Sequence, residues 1–569
     1  MQIRHISIKN FRGIQKMDWA ITSQIVCLIG SGDSTKSTIL DAIDFALSPR
    51  WNLTFEDCDF YSEKTENPIE IIVTIGQIPS DLLKQEKFGL ELRGWSKTDG
   101  IHDEPQENDE LVLSIRLIVD NSLEPQWDVI NDRNPEGRTI SSKDREKLGT
   151  SRLGVYIDKH LYWGQGSALS NLTINRKENA TPMITEAHRK ARNEAKIEDL
   201  EVFKTASEQA EKIAKDLGVK PKGTLRPALD PRAINIGLGA IAIHDDNIPL
   251  RLTGLGSRRL IALGVQLSAV ADGSLLLVDE VEHGLEPHRI RHLLKYLHQS
   301  IGNDPNKAGQ VIMTSHSSTS IVELSAENLY IVRSENGETT VRNVSRDLQN
   351  IVRKVPEAFL GLRALVCEGK TELGILRVFE NYWINNKNKE PLAHNGVVLI
   401  LGGGDDSPKT ALELKRLGYA TCFFADGDKL KKLQPSIEEL SANGVSVFHW
   451  NEPNAVEEVL ANELSWAILK KMVELGAEEK GEQSVCDTIG SKLRSPFTSS
   501  NINIDDWLKN GIQQEDIRKA IGEAAKTKGW FKRIDLGENL GQLILDDLEN
   551  LRDKESVKLL EKIEGWIYG

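Results

Sequence analysis

The sequence predicts an α/β protein made of two sheet-forming parts, and three patterns carry the prediction. Short apolar runs (Ile25 to Ile29, Leu275 to Val278, Val311 to Met313) end abruptly in glycine, acid or histidine, as strands buried on both faces of a parallel sheet do. Segments of helical period separate them. After residue 350 the alternation starts afresh, with strands expected at Ala364 to Cys367, Gly396 to Leu401 and Ala420 to Ala425.

Composition sets the frame. A chain of 569 residues, 39% apolar and 27% charged, is too long for one core, and roughly two to four domains are expected. No apolar run approaches the ~20 residues that span a bilayer. The opening MQIRHISIKNFRG alternates like a strand and lacks the apolar core of a signal peptide, so a cytoplasmic location without a membrane partner is expected. Five cysteines (27, 58, 367, 422 and 486) form no CxxC pair, which argues against a disulfide framework and a zinc site. The net charge of −14 does not advertise a nucleic-acid binder, but metal-holding carboxylates inflate the negative count. The basic segments at 188–192 and 429–432 either contact phosphates or form solvated faces.

Taken in order, Ile3, Ile6 and Ile8 are expected to lie on a strand paired with the one that enters the first loop. That loop, CLIGSGDSTKSTIL (27–40), has the strand, glycine bend and helix order of a triphosphate site. The amides around Gly30 would meet phosphate oxygens, Lys36 would reach the β- and γ-phosphates, and Ser37 and Thr38 open the helix, with the Ser37 hydroxyl on Mg²⁺. Thr35 stands where the motif has glycine, and a β-branched residue resists positive φ. FEDCDFY (55–61) is either a surface turn or a source of one carboxylate near the metal. Further strands are expected at Ile69 to Ile75, Leu111 to Val119 and Leu153 to Ile157, with hairpins and loops over 120–150.

Pro182 to Leu217 reads as a helical insertion with Ile197, Leu200, Phe203, Ala210, Ile213 and Leu217 on one seam. Such a seam buries against its own domain or against a second copy of the chain, and both readings stand. PLRLTGLGSRRLIAL (249–263) resembles the signature loop of ABC-type ATPases, where Ser257 would face a partner subunit's γ-phosphate. SLLLVDEVEHGLEP (274–287) ends a buried strand in Asp279, for the magnesium shell, and Glu280, to polarise the attacking water. QVIMTSHS (310–317) ends in His316, a γ-phosphate sensor in that class.

In the second part, Glu368, the glycines 402–404 and Asp426-Gly427-Asp428 each follow an apolar run. Carboxylates gathered at one sheet edge repel unless a cation neutralises them, so Glu368, Asp426 and Asp428 are expected to hold Mg²⁺ or Mn²⁺. A paired-metal arrangement cleaves phosphodiesters. WNEPNAVEEVL (450–460) adds Glu457 and Glu458, one of which would complete the second metal position, and AAKTKGWF (524–531) places Lys528 beside aromatics.

Together, Gly30 to Thr38, Asp279-Glu280, His316, Glu368-Gly369, Asp426 and Asp428 give nearly the whole chain a resemblance to the OLD (overcoming lysogenisation defect) nucleases. The resemblance implies an N-terminal ABC-type ATPase domain over 1–360, with the helical insertion at about 180–220 as a dimerisation segment, and a C-terminal Toprim nuclease domain over 361–569 with a helical extension. It implies ATP, metal-dependent DNA cleavage or nicking, a homodimer or higher homo-oligomer, and often antiphage defence. It further implies metal contacts from Glu372 and from Glu457 or Glu458, and a late active-site lysine at Lys528. Within the family the layout is similar to the Gabija nuclease, which works with a helicase-like partner, and to effectors that accompany a retron reverse transcriptase and its nucleic acid. A non-cleaving DNA-binding ATPase of the repair type, and a nuclease acting on RNA such as tRNA, are the alternatives.

Overall fold

The computed structural model describes residues 1–148, 150–154, 158–163, 167, 169, 181–194, 199–216, 224, 225, 227, 241–269, 275–301, 309–428, 430–433, 435–494 and 503–569. Two sheets organise it. The first has fourteen strands among the described residues, and its parallel heart runs Thr150–Leu153, Leu275–Val278, Gln310–Thr314, Ile25–Ile29, Leu329–Glu335. The middle three are wholly buried, which is why they read as unbroken apolar runs. The sheet continues through Glu338–Asn343, Ile14–Ala20, Gln2–Phe11, Ile69–Gly76 and Glu110–Val119, each pair antiparallel except Glu338–Asn343 with Ile14–Ala20, which is parallel. Gln2–Phe11 therefore pairs with Ile14–Ala20 and Ile69–Gly76, not with the strand entering the glycine loop as expected. A tight turn at Arg12-Gly13 folds the chain straight back on itself, so the nearest partner in sequence takes the pairing.

The second sheet is fully parallel, in the order Val397–Leu401, Arg363–Cys367, Ala420–Ala425, Ser446–His449. In chain order that is 2-1-3-4. The order reverses between Arg363–Cys367 and Ala420–Ala425, and a crevice opens where neighbouring connections leave on opposite faces. Glu368 and Asp426 are the first residues past those two strands. Helix Lys370–Lys387 lies against helix Ile534–Asp546 at glycine spacing. A Cβ on Gly374 would sit 2.4 Å from the Ile534 carbonyl oxygen, and one on Gly537 2.7 Å from that of Thr371.

The two sheets are not separately packed. One buried apolar cluster runs from Ile29, Val278 and Met313 through Val352 and Phe359 to Val366, Leu414, Tyr419 and Phe423. The expected 182–217 helix is two helices, Thr181–Glu194 and Glu201–Asp216, and Ile197 and Leu217 lie outside the described residues. Its seam does not bury within the chain: Leu200 is 55% and Phe203 49% exposed. Among the described residues no helix is long and apolar enough to cross a membrane.

Candidate functional site

The first candidate site forms where Ile25–Ile29 runs through the glycine bend into helix Lys36–Leu47. Gly30 has φ 143°, and a Cβ there would lie 2.7 Å from the Val332 carbonyl oxygen. Thr35 adopts the left-handed conformation (φ 66°, ψ 14°) that its β-branch resists. Lys36 folds back on its own loop, donating to the Ser31 carbonyl (2.6 Å), the Ser34 hydroxyl (2.9 Å) and the Gly30 carbonyl (3.3 Å). Burial lowers its ammonium to about pKa 8, against the opposing pull of Asp279, Glu282 and Asp33. An arriving phosphate would supply the anion that this buried ammonium lacks.

Asp279 sits opposite. The Ser37 hydroxyl (3.0 Å) and the Thr314 hydroxyl (2.7 Å) both donate to its Oδ1, while Arg152 stands 3.7 Å from its Oδ2. A hydroxyl at the helix start facing a carboxylate at the end of the next strand but one is an all-oxygen donor set that fits Mg²⁺ beside a triphosphate. Thr38 follows Ser37 on the same first turn. Glu280 is in the left-handed region (φ 46°) and is fixed there from both sides. Its N–H donates to Thr314 Oγ1 (2.8 Å), and buried Arg259 donates to the Asp279 (2.5 Å) and Glu280 (2.6 Å) carbonyls.

His316 is exposed two residues past the end of Gln310–Thr314, the strand between those of the phosphate loop and Asp279, and its backbone N–H donates to Glu282 (2.6 Å). Although the side chain is largely exposed, its partial desolvation, then the charge of Lys36, lowers its imidazole pKa. Ser257 opens helix Leu255–Ala269 and takes a 3.5 Å contact from Arg289, so on its own chain it belongs to the surface after Asp279-Glu280. Leu252 and Ile248 beside it are 66% and 55% exposed. The 55–61 segment is a turn: Asp59 accepts from Arg12 (2.8 Å) and from the Glu56 N–H (3.0 Å). Arg152 lies in no motif, and only the sheet order brings it to Asp279; Arg259, Glu282 and Thr314 lie within the quoted motifs but carry no signal of their own there.

The second candidate site is the crevice of the parallel sheet. Glu368 Oε2 accepts the Asp426 N–H (2.9 Å), and Asp426 Oδ1 accepts the Gly427 (3.0 Å) and Val456 (2.9 Å) N–H groups. Glycine is required between the acids, since a Cβ on Gly427 would meet the Asn454 and Trp450 carbonyl oxygens at 2.5 and 2.6 Å. Glu368, Glu372, Asp426 and Glu457 are all buried. Burial raises the pKa of Glu372 and of Asp426, and the surrounding carboxylates, Glu457 among them, add to both shifts.

Glu457 is fully buried at a helix start, yet neither of its carboxylate oxygens takes a hydrogen bond, and Asp428 Oδ1 takes none. Hard carboxylate oxygens of this kind are the donor type that could hold a divalent cation. Among the described residues, no three His, Cys, Asp or Glu side chains already converge at coordinating distance. Glu368 and Asp426 are each turned onto backbone amides.

Two expectations need correction. Glu458 is not placed as a ligand: its carboxylate caps its own helix, accepting the Ala455 N–H (2.8 Å), and pairs with Lys526 (2.9 Å). Lys528 is exposed at the end of helix Gln514–Lys528. The cations at the cluster are Lys526, 3.1 Å from Asp428, and Lys532, 3.7 Å from Glu457. Helical spacing held the signal for the first: Lys526 is four residues after Gly522, whose absent side chain lets the helix lie against Glu458.

Residues 25–323 match the family described as "AAA domain, putative AbiEii toxin, Type IV TA system". No curated protein matches the chain. Solved structures that resemble it include an SMC head bound to the C-winged helix domain of ScpA (14% identity over 61% of this chain and 98% of that one, TM-score 0.35). The SMC head domain from Thermotoga maritima (13%, 61% and 100%, TM-score 0.29) is another. A third is the Smc head with an extended coiled coil bound to the C-terminal domain of ScpA, derived from Pyrococcus furiosus (13%, 62% and 99%, TM-score 0.35).

Proposed function

The chain belongs to this AAA-domain family, and from that premise we propose that it is a nucleotide-regulated, divalent-metal-dependent DNA endonuclease of the OLD type. Its N-terminal part is an ATP-binding ATPase domain of the ABC type. The proposed division places that domain at 1–360 and a Toprim nuclease domain at 361–569. The observation that carries the nuclease reading is the crevice at the switch point of the second sheet. Five carboxylates interact electrostatically there, and buried Glu457 accepts no hydrogen bond.

A pair of divalent cations bound among these carboxylates would activate water and stabilise the leaving oxygen. Glu368, Glu372, Asp426, Asp428 and Glu457 are the residues that would hold such ions. Lys526 and Lys532 would exchange their carboxylate partners for the scissile phosphate. At the other edge Ser37 and Asp279 would hold the magnesium of ATP, Lys36 the phosphates, and Glu280 the attacking water. The exposed Leu252, Ile248 and Leu255 around Ser257 suit a homodimer in which each signature loop covers the partner's nucleotide. The matched family's description names a toxin of a toxin–antitoxin system; the antiphage role, and work with a helicase-like protein or a retron complex, rest on the OLD resemblance alone.

The test is nicking of supercoiled plasmid by the full chain with Mg²⁺ or Mn²⁺, with and without ATP, and with a tRNA arm beside it. Asp426→Ala is expected to abolish cleavage, a loss of at least about 10³-fold, with ATP affinity unchanged. Cleavage of tRNA alone would reassign the substrate. Binding of plasmid without nicking under every condition would leave a repair-type ATPase.

A further inference from the structure

We propose that the hairpin Leu329–Glu335/Glu338–Asn343 is the element through which nucleotide at the phosphate loop reaches the carboxylate crevice. This inference rests on the reading that both sheet edges are working sites. The hairpin is stiff: Asn336 (φ 51°) and Gly337 (φ 85°) close it as a two-residue turn with both central residues left-handed, and six residue pairs follow in register.

One face of the hairpin touches the loop. Ile331 pairs with Ile29, and the Val332 carbonyl lies where a side chain on Gly30 would be. The Thr35 and Thr339 hydroxyls are 3.3 Å apart, and Thr339, 2% exposed, also donates to Ser334 (3.2 Å). The other face touches the second sheet. The Arg333 guanidinium lies 4.0 Å over the Tyr419 ring and donates to the Gly361 carbonyl (3.0 Å), and Arg342 donates to the Arg416 carbonyl (2.7 Å). Tyr419 is buried, and its hydroxyl donates to the Phe359 carbonyl (3.0 Å). The next residue begins strand Ala420–Ala425, which ends on Asp426.

The route from Thr35 to Tyr419 thus runs by close contacts and hydrogen bonds beside one buried apolar cluster that includes Ile331, Phe359, Tyr419 and Phe423. A phosphate that draws Lys36 off Ser31 and Ser34 must shift the residue before it, and Thr35 is that residue. Its strained backbone has little freedom except to move Thr339 with it. A stiff hairpin turns that shift into a displacement of Arg333 on Tyr419.

The experiment is hydrogen exchange of residues 420–425 in the full chain with and without ATP and Mg²⁺, run beside the nicking assay. ATP is expected to change exchange of that strand about fivefold or more. In Arg333→Ala the change is expected to vanish while ATP affinity stays within about twofold, too small a step to be coupling. Thr339→Val, nearly isosteric, is expected to do the same from the other end. An unresponsive strand in the unsubstituted chain, or a full response in both variants, overturns the proposal. If exchange responds but no nucleic acid is cut, the nuclease reading falls and the coupling stands. If the chain cuts while the strand ignores ATP, the reverse holds.

Discussion

The two sheet edges use the same architecture and leave their acids in opposite states. At the phosphate loop one carboxylate, Asp279, is met by two hydroxyls and a guanidinium, and the loop's lysine is satisfied by the loop's own oxygens. At the crevice four carboxylates are buried together, and Glu457 accepts no hydrogen bond at all. A buried charge held only by a 3.7 Å ion pair to Lys532, with no hydrogen bond, is costly for a fold to retain. The contrast teaches how the edges differ: the first is satisfied by its own side chains, whereas on the proposed reading the second carries an electrostatic debt that a divalent cation would relieve.

The largest expected effect tests that debt directly. Glu457→Gln removes a buried charge at the cost of a 3.7 Å contact with Lys532, whose side chain is half exposed. Without metal the variant is expected to be more stable than the parent by about 1–2 kcal/mol, the scale of an unsatisfied buried group. Saturating Mg²⁺ at a hundred times its dissociation constant is expected to stabilise the parent by about 2.7 kcal/mol and the variant by far less. Thermal melts with EDTA and with Mg²⁺ measure both. A variant less stable than the parent in EDTA would mean that Glu457 is already compensated, and the comparison between the edges would fail.

A smaller effect probes the satisfied edge. Burial lowers Lys36 to about pKa 8, so the ammonium is present below that pH and lost above it. Phosphate binds the protonated form, and a bound anion raises the pKa again, so binding above about pH 8 requires proton uptake. ATP affinity is expected to be flat below that pH and to fall by up to about tenfold per unit above it. Calorimetry in two buffers of different ionisation enthalpy reads the proton directly. An affinity unchanged from pH 7 to pH 9.5 would show that the loop oxygens do not hold Lys36 in the way described.

Much of both edges was legible in the sequence because a buried parallel strand announces itself twice, by an apolar run and by the residue that ends it. Asp279, Glu280, His316, Glu368 and Asp426 all lie just past such runs. What was not legible depends on partners distant in the chain. Lys526 reaches Asp428 and Glu458 because two helices cross, and Arg152 reaches Asp279 because an edge strand joins the sheet beside it. Lys528 stands beside the aromatics Trp530 and Phe531 in sequence, whereas helical geometry turns it to solvent. Glu457 and Glu458 were indistinguishable until the helix start divided them, one to the crevice and one to the cap.

The smallest expected effect lies at Thr35, the one loop position that departs from the usual glycine. Replacing it with glycine removes a left-handed β-branched residue, a relief of about 1–2 kcal/mol. Against that stand the added chain entropy of glycine, about 0.5–1 kcal/mol, and the lost Thr35 hydroxyl, which donates to the Ser34 carbonyl (2.6 Å) and touches Thr339 (3.3 Å), about 0.5–1.5 kcal/mol. The terms nearly cancel, so Thr35→Gly is expected to shift stability by no more than about 1 kcal/mol. Its consequence should appear elsewhere. At saturating ATP the response of residues 420–425 is expected to weaken, because the loop then moves without carrying the hairpin. Threonine here would thus trade loop comfort for a hold on the neighbouring strand. A glycine variant with an undiminished response would show that the strain has no such use, and that the two edges communicate by another route or not at all.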